Sequence, residues 1–132
     1  MKRLACMALM LLAVLGNAQI VEWIPRYNGT DSQAEIPYDM TADNAGNVYV
    51  CGFGYRSATY RDYLTIKYND SGDTAWVRYY DGGQLFYDDA HAIAVDDSGN
   101  VYVTGSSMES GNQFDIATIK YNSAGVEQWI AR

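Results

Sequence analysis

The chain has 132 residues, with 16 acidic side chains against 9 basic ones and a net charge of −7. Such a surface repels nucleic acid and anionic membranes, so neither is an expected partner. The length allows one small domain, and two cysteines are too few for a disulfide framework.

Residues 1–18 read as a secretory signal peptide. Lys2 and Arg3 form a positive start, residues 4–15 an uncharged apolar run, and Gly16-Asn17-Ala18 small residues ahead of a cut before Gln19. The apolar run falls short of the ~20 residues that a spanning helix needs. Removing its two positive charges would move the net charge from −7 to −9. The expected location is secreted or at the cell surface, with no membrane association after cleavage. Cys51 is then the one cysteine left. Its repeat counterpart, Thr104, marks it as a half-buried strand position and not a nucleophile.

Residues 19–132 repeat themselves. Trp23, Trp76 and Trp129 are spaced at 53 residues. At the same offset Tyr27 matches Tyr80, Gly29 matches Gly82, Asp43 matches Asp96 and Asp62 matches Asp115. Gly46-Asn47-Val48-Tyr49-Val50-Cys51-Gly52 returns as Gly99-Asn100-Val101-Tyr102-Val103-Thr104-Gly105, and Thr65-Ile66-Lys67-Tyr68-Asn69 as Thr118-Ile119-Lys120-Tyr121-Asn122. No gap is needed between Trp23 and Trp129.

Each unit reads as four short strands. The first spans 38–43 and 90–96, where alanines at 90, 92 and 94 alternate with larger residues. Asn44-Ala45-Gly46 and Asp97-Ser98-Gly99 supply hairpin turns. The second strand spans 48–52 and 101–105, and Gly105 is expected to let the chain leave the sheet. Variable loops cover 53–61 and 106–114. The third strand spans 62–68 and 115–121, and new turns at Asn69 and Asn122 lead into a fourth at 74–80 and 126–132. Residues 20–27, with Trp23, form one more copy of the fourth strand. The predicted fold class is all-β: four-stranded antiparallel blades of a β-propeller, two blades plus one extra strand in an incomplete ring. The units are a leading outer strand in 19–30, a first blade in 31–80 and a second in 81–132.

Asp96-Asp97-Ser98-Gly99-Asn100-Val101-Tyr102-Val103-Thr104-Gly105, then Asp115-Ile116-Ala117-Thr118-Ile119-Lys120-Tyr121-Asn122, Gly125 and Trp129, resemble the bacterial SBBP-type β-propeller repeat. The resemblance covers about two copies. It implies an exported or surface-attached protein, and it carries no shared catalytic residues. Two blades cannot close a ring of the usual four to eight. The chain is therefore expected to be an N-terminal piece whose partners include further blades of a longer protein, with self-assembly of several copies as the alternative.

The repeat also sorts residues by role. Those that recur (Asp43/Asp96, Asp62/Asp115, Lys67/Lys120) are expected to serve the scaffold. Asp96-Asp97-Ser98-Gly99-Asn100 lacks the ligand spacing of an EF-hand loop and reads as a turn. Gly52-Phe53-Gly54 and Gly82-Gly83 also read as turn glycines. No metal, cofactor or catalytic residue is expected. Candidate ligand-binding residues lie on the loops joining second to third and fourth to first strands, which share one propeller face: Tyr55, Arg56, Tyr60, Gln84, Phe86, Tyr87, Asp89, His91 and Glu109. Tyrosines with polar neighbours suit a glycan or a protein partner. The expected function is an exported, non-catalytic scaffold for binding or adhesion. The alternative is part of a polysaccharide hydrolase or lyase using Asp39 or Asp89.

Overall fold

Asp43 and Asp96 bend the chain in the same way. Asp43 Oδ1 accepts from the amides of Ala45 at 2.9 Å and Asn47 at 3.0 Å, and Oδ2 accepts from Asn47 Nδ2 at 2.7 Å and the Tyr49 hydroxyl at 2.9 Å. Asp96 repeats this set with Ser98, Asn100 and Tyr102. Burial pushes the Asp43 carboxyl up, but the bonds from Asn47, Tyr49 and Ala45 together hold it below the usual carboxylate range. The Asn100 side chain leads the same depression at Asp96. Gly46 and Gly99 close these turns at φ of 83° and 77°, values that a side chain resists.

The computed structural model describes Trp23 and residues 25–29, 33–83, 87–109 and 113–132. Between the turns lie eight strands: β1 (Glu35–Ala42), β2 (Val48–Arg56), β3 (Tyr60–Tyr68), β4 (Thr74–Tyr80), β5 (Asp88–Val95), β6 (Val101–Glu109), β7 (Gln113–Tyr121) and β8 (Glu127–Ala131). They form two four-stranded antiparallel sheets, ordered β1-β2-β3-β4 and β5-β6-β7-β8. These are the two expected blades. Among the described residues no helix is long and apolar enough to cross a membrane.

Three expectations are corrected. First, the second strand does not end at Gly52 or Gly105. It runs on to Arg56 and Glu109, and β3 and β7 begin already at Tyr60 and Gln113. Both glycines, and Gly54, are mid-strand. Opposite Gly52 the register shifts between Pro37 and Asp39, and opposite Gly105 between Ala90 and Ala92. Tyr38 and His91 are thus the extra residues of two β-bulges, and the glycines make room for the backbone pressed against them. Second, the alanine alternation in β5 does not survive the bulge. Ala90 and Ile93 are buried, while Ala92 and Ala94 are exposed, because one added residue reverses the side-chain parity. Third, Trp23 and residues 25–29 form no regular strand. Among the described residues no third strand lies beside them to continue a ladder. Residues 1–22, which include the expected signal peptide, lie outside the described residues.

The blades stack face to face. Alternation sends Tyr49, Cys51, Tyr63 and Trp76 of the first blade to one side, where they meet Val101, Val103, Ala117, Ile119 and Tyr121 of the second. Polar groups pair across the joint. The Tyr63 hydroxyl donates to the Ala117 carbonyl at 3.1 Å, the Ile93 amide to Asp39 Oδ2 at 3.0 Å, and the Trp76 indole N–H to the Ser123 carbonyl at 3.2 Å. The other side of the first blade buries Leu64, Ile66 and Tyr68 under Trp23 and Tyr27. Trp23 lies against Gly72 and 6.2 Å from the Tyr68 ring, as Trp76 lies against Gly125 and 6.0 Å from the Tyr121 ring. The far side of the second blade leaves Phe114, Ile116 and Trp129 exposed.

Cys51 is sealed into the joint, with its sulfur 3.9 Å from the Ala90 carbonyl. Burial and the nearby Asp39 charge push its thiol up to about 12. In a Cys6→Ser background the folded protein should not react with an aromatic disulfide reagent at pH 8, and should react at once in denaturant. Fast labelling of the folded form would contradict the stacked joint.

Candidate functional site

The β2–β3 hairpin and the β4–β5 connection meet at one end of the blades, as expected for loops that share a propeller face. Tyr87 bridges to Arg61 through the backbone, and its ring lies 6.3 Å from that of Tyr60. Tyr60 is the one non-glycine residue with positive φ, 71°, among the described residues. That is a costly conformation for a tyrosine, and it holds the ring outward, 55 % exposed. Tyr87 is also exposed.

Arg61 organises this edge. Its guanidinium lies 3.8 Å over the Phe53 ring, 5.4 Å over Tyr87 and 5.9 Å over Tyr55. Nη2 sits 3.1 Å from Asp89 Oδ1. A cation clasped by three rings and a carboxylate is held in place, so the tyrosines around it are presented on a firm base. Burial pushes the Asp89 carboxyl up, opposed by the charges of Arg61 and His91. The two bulge residues extend the row: the His91 ring stacks on Tyr38 at 5.1 Å, and Tyr38 lies 5.7 Å from Phe53. His91 Nε2 is 3.3 Å from the Ser106 hydroxyl. Beside this row, Gln33, Tyr55, Arg56, Ser57 and Tyr60 line an open hollow of 380 Å³.

The structure therefore brings Tyr55, Arg56, Tyr60, Tyr87, Asp89 and His91 to one edge. Glu109 belongs to a neighbouring group. It pairs with Arg132, which also donates to the Gly82 carbonyl at 2.7 Å and Ser107 Oγ at 2.9 Å. Gln84 and Phe86 lie outside the described residues. Arg61, Phe53 and Tyr38 were missing from the expected set. Arg61 has Phe114 as its repeat counterpart, so the contrast between copies that singles out Tyr60 finds Arg61 as well. Lys67 and Lys120, expected as scaffold, sit 5.2 Å over Tyr49 and Tyr102 respectively.

This edge offers aromatic faces, amide and hydroxyl groups and a guanidinium around a shallow hollow. Such a surface can stack on and hydrogen-bond a flat or ring-shaped ligand. Its carboxylates are engaged: Asp89 by Arg61, and Asp39 by the amides of Met40 and Ile93.

A family model described as an SBBP β-propeller repeat matches residues 75–110. The match runs from β4 through β6 and so spans the joint between the blades. A search of curated proteins found no match.

Proposed function

We propose that this SBBP β-propeller repeat protein is an exported, non-catalytic scaffold that binds a glycan at the cell surface through its loop edge. One observation carries the reading: the exposed rings of Tyr60 and Tyr87 and the hollow beside Tyr55 stand around a clasped Arg61 at positions that do not recur between the blades. Stacking of sugar rings on tyrosine faces needs that presentation. Residues 1–18 support export through their charge, apolar run and small-residue cut site. The exposed Phe114, Ile116 and Trp129 support the stacking of further blades on the second one.

The test is binding of the protein to a polysaccharide array, compared with a Tyr60→Ala/Tyr87→Ala variant. Binding should fall at least tenfold in the variant with little change in thermal unfolding, and bound polysaccharide should be recovered uncleaved. Absence of binding, full binding by the variant, or cleavage of the polysaccharide would contradict the proposal.

A further inference from the structure

Asp62, Asp81 and Asp88 converge where the first blade meets the second. Asp62 lies in β3, Asp81 directly follows β4, and Asp88 opens β5. One carboxylate oxygen from each lies within 4.8 Å of the others. Asp62 and Asp88 are fully buried, and Asp81 faces solvent.

Each buried carboxylate has one oxygen engaged and one bare. Asp62 Oδ2 accepts from the Thr59 hydroxyl at 2.7 Å and lies 3.8 Å from Arg56 Nη1. Asp88 Oδ2 accepts from the Gly82 amide at 2.8 Å. The Oδ1 atoms of both are buried without a hydrogen-bond partner. Arg132 comes close, but its bonds go to Gly82, Ser107, Tyr80 and Glu109. Buried carboxylate oxygens are strongly disfavoured unless they are paired or bind a metal.

We propose that this joint binds one Ca²⁺, held by Asp62, Asp81 and Asp88, which staples the first blade to the second. A donor set made only of carboxylate oxygens selects a hard cation. Ligands on one Ca²⁺ at 2.3–2.6 Å can stand up to about 5 Å apart, which accommodates the three oxygens. The exposed Asp81 supplies an entry route and room for water ligands. The repeat supports a role at the joint. Asp62 has Asp115 as its counterpart, which is exposed in β7, and Asp88 has Glu35. Glu35 Oε1 accepts from the Gly29 amide at 2.8 Å, as Asp88 does from Gly82. Two of the three acid positions thus recur from blade to blade, while Asp81 has Asn28 as its counterpart.

The experiment is a CaCl₂ titration of the EDTA-treated full chain at constant ionic strength, followed by calorimetry and thermal unfolding. One Ca²⁺ should bind per chain, and the unfolding midpoint should rise by roughly 10 °C at a hundredfold excess over Kd. Asp81→Asn, on the exposed ligand, should fold normally and weaken Ca²⁺ binding at least tenfold. Asp115→Asn removes the same charge at the exposed repeat counterpart, outside the cluster, and should leave binding intact. Absence of a Ca²⁺-dependent rise, an undiminished rise in Asp81→Asn, or an equal loss in Asp115→Asn would overturn the site.

Discussion

Gly105→Ala should destabilise the protein by about 3 kcal/mol, as overpacking at an unyielding site does, and lower the unfolding midpoint by roughly 10 °C. An added β-carbon would overlap the Asp89 carbonyl oxygen and stand 2.9 Å from Ala90 Cα and His91 N. Those atoms are backbone, and the β5 bulge holds them there. A flexible side chain could swing aside; this segment can retreat only if β5 gives up its bulge. Losing the bulge slips the register by one residue and turns Ile93 away from the blade joint. Gly52→Ala should behave alike, because its β-carbon would overlap the Ile36 carbonyl oxygen and stand 2.8 Å from Pro37 Cα. Gly83→Ala is the useful contrast. Its φ of 112° is strained for alanine, yet nothing lies within 4 Å of the new carbon, so about 1–2 kcal/mol is expected. Thermal or urea unfolding of the three variants measures the order. A Gly105→Ala protein as stable as wild type would refute the bulge.

Tyr63→Ala should cost about 3–5 kcal/mol, the usual range for losing a buried aromatic ring. Its ring is 1 % exposed, lies 5.3 Å from Tyr80 and carries the hydroxyl that donates to the Ala117 carbonyl of the second blade. The repeat supplies its own control. Ile116 occupies the equivalent position in β7, 53 residues on, and is 74 % exposed. Ile116→Ala should change stability by less than about 0.5 kcal/mol. Nothing local separates the two sites: strand, position and side-chain direction are the same. The difference is that one face is covered by a blade and the other is not. Similar effects at both positions, measured by urea unfolding, would contradict the stacking.

Much of the frame can be read from the residues. The 53-residue offset, the Asn/Asp-to-Gly turns and the β-branched, tyrosine-rich strands each have a local cause, and the two blades follow from them. The bulges do not announce themselves. His91 falls within a clean alternation of alanines, and only Gly105, which pairs with Ala90 beside it, shows that one residue is surplus. A glycine in a strand can mean an exit or a close backbone approach, and the choice rests on the neighbouring strand. The aromatic edge was legible in part for a similar reason. Contrasting the copies finds Tyr60, Tyr87 and Arg61. That Arg61 is clasped by Phe53, Tyr55 and Asp89 depends on how the first blade sits against the second. The Asp62, Asp81 and Asp88 cluster lies further from sequence reach, because its residues are contributed by two strands and the connection between blades. Asp62 even reads as scaffold, since Asp115 repeats it.

Stacking of the two blades underlies the edge and the proposed cation site alike, and one proton reports on it directly. A β-carbon built on Gly125 would stand 2.7 Å from Trp76 Cδ2, so an α-proton of Gly125 in the second blade points into the face of an indole from the first. In an NMR spectrum of the full chain that proton should be shifted far upfield by the ring. Gly99, whose nearest neighbour is Ser123, should show no such shift, and Trp76→Leu should abolish the one at Gly125. A Gly125 α-proton at its random-coil position in the folded protein would contradict the stacked-blade structure.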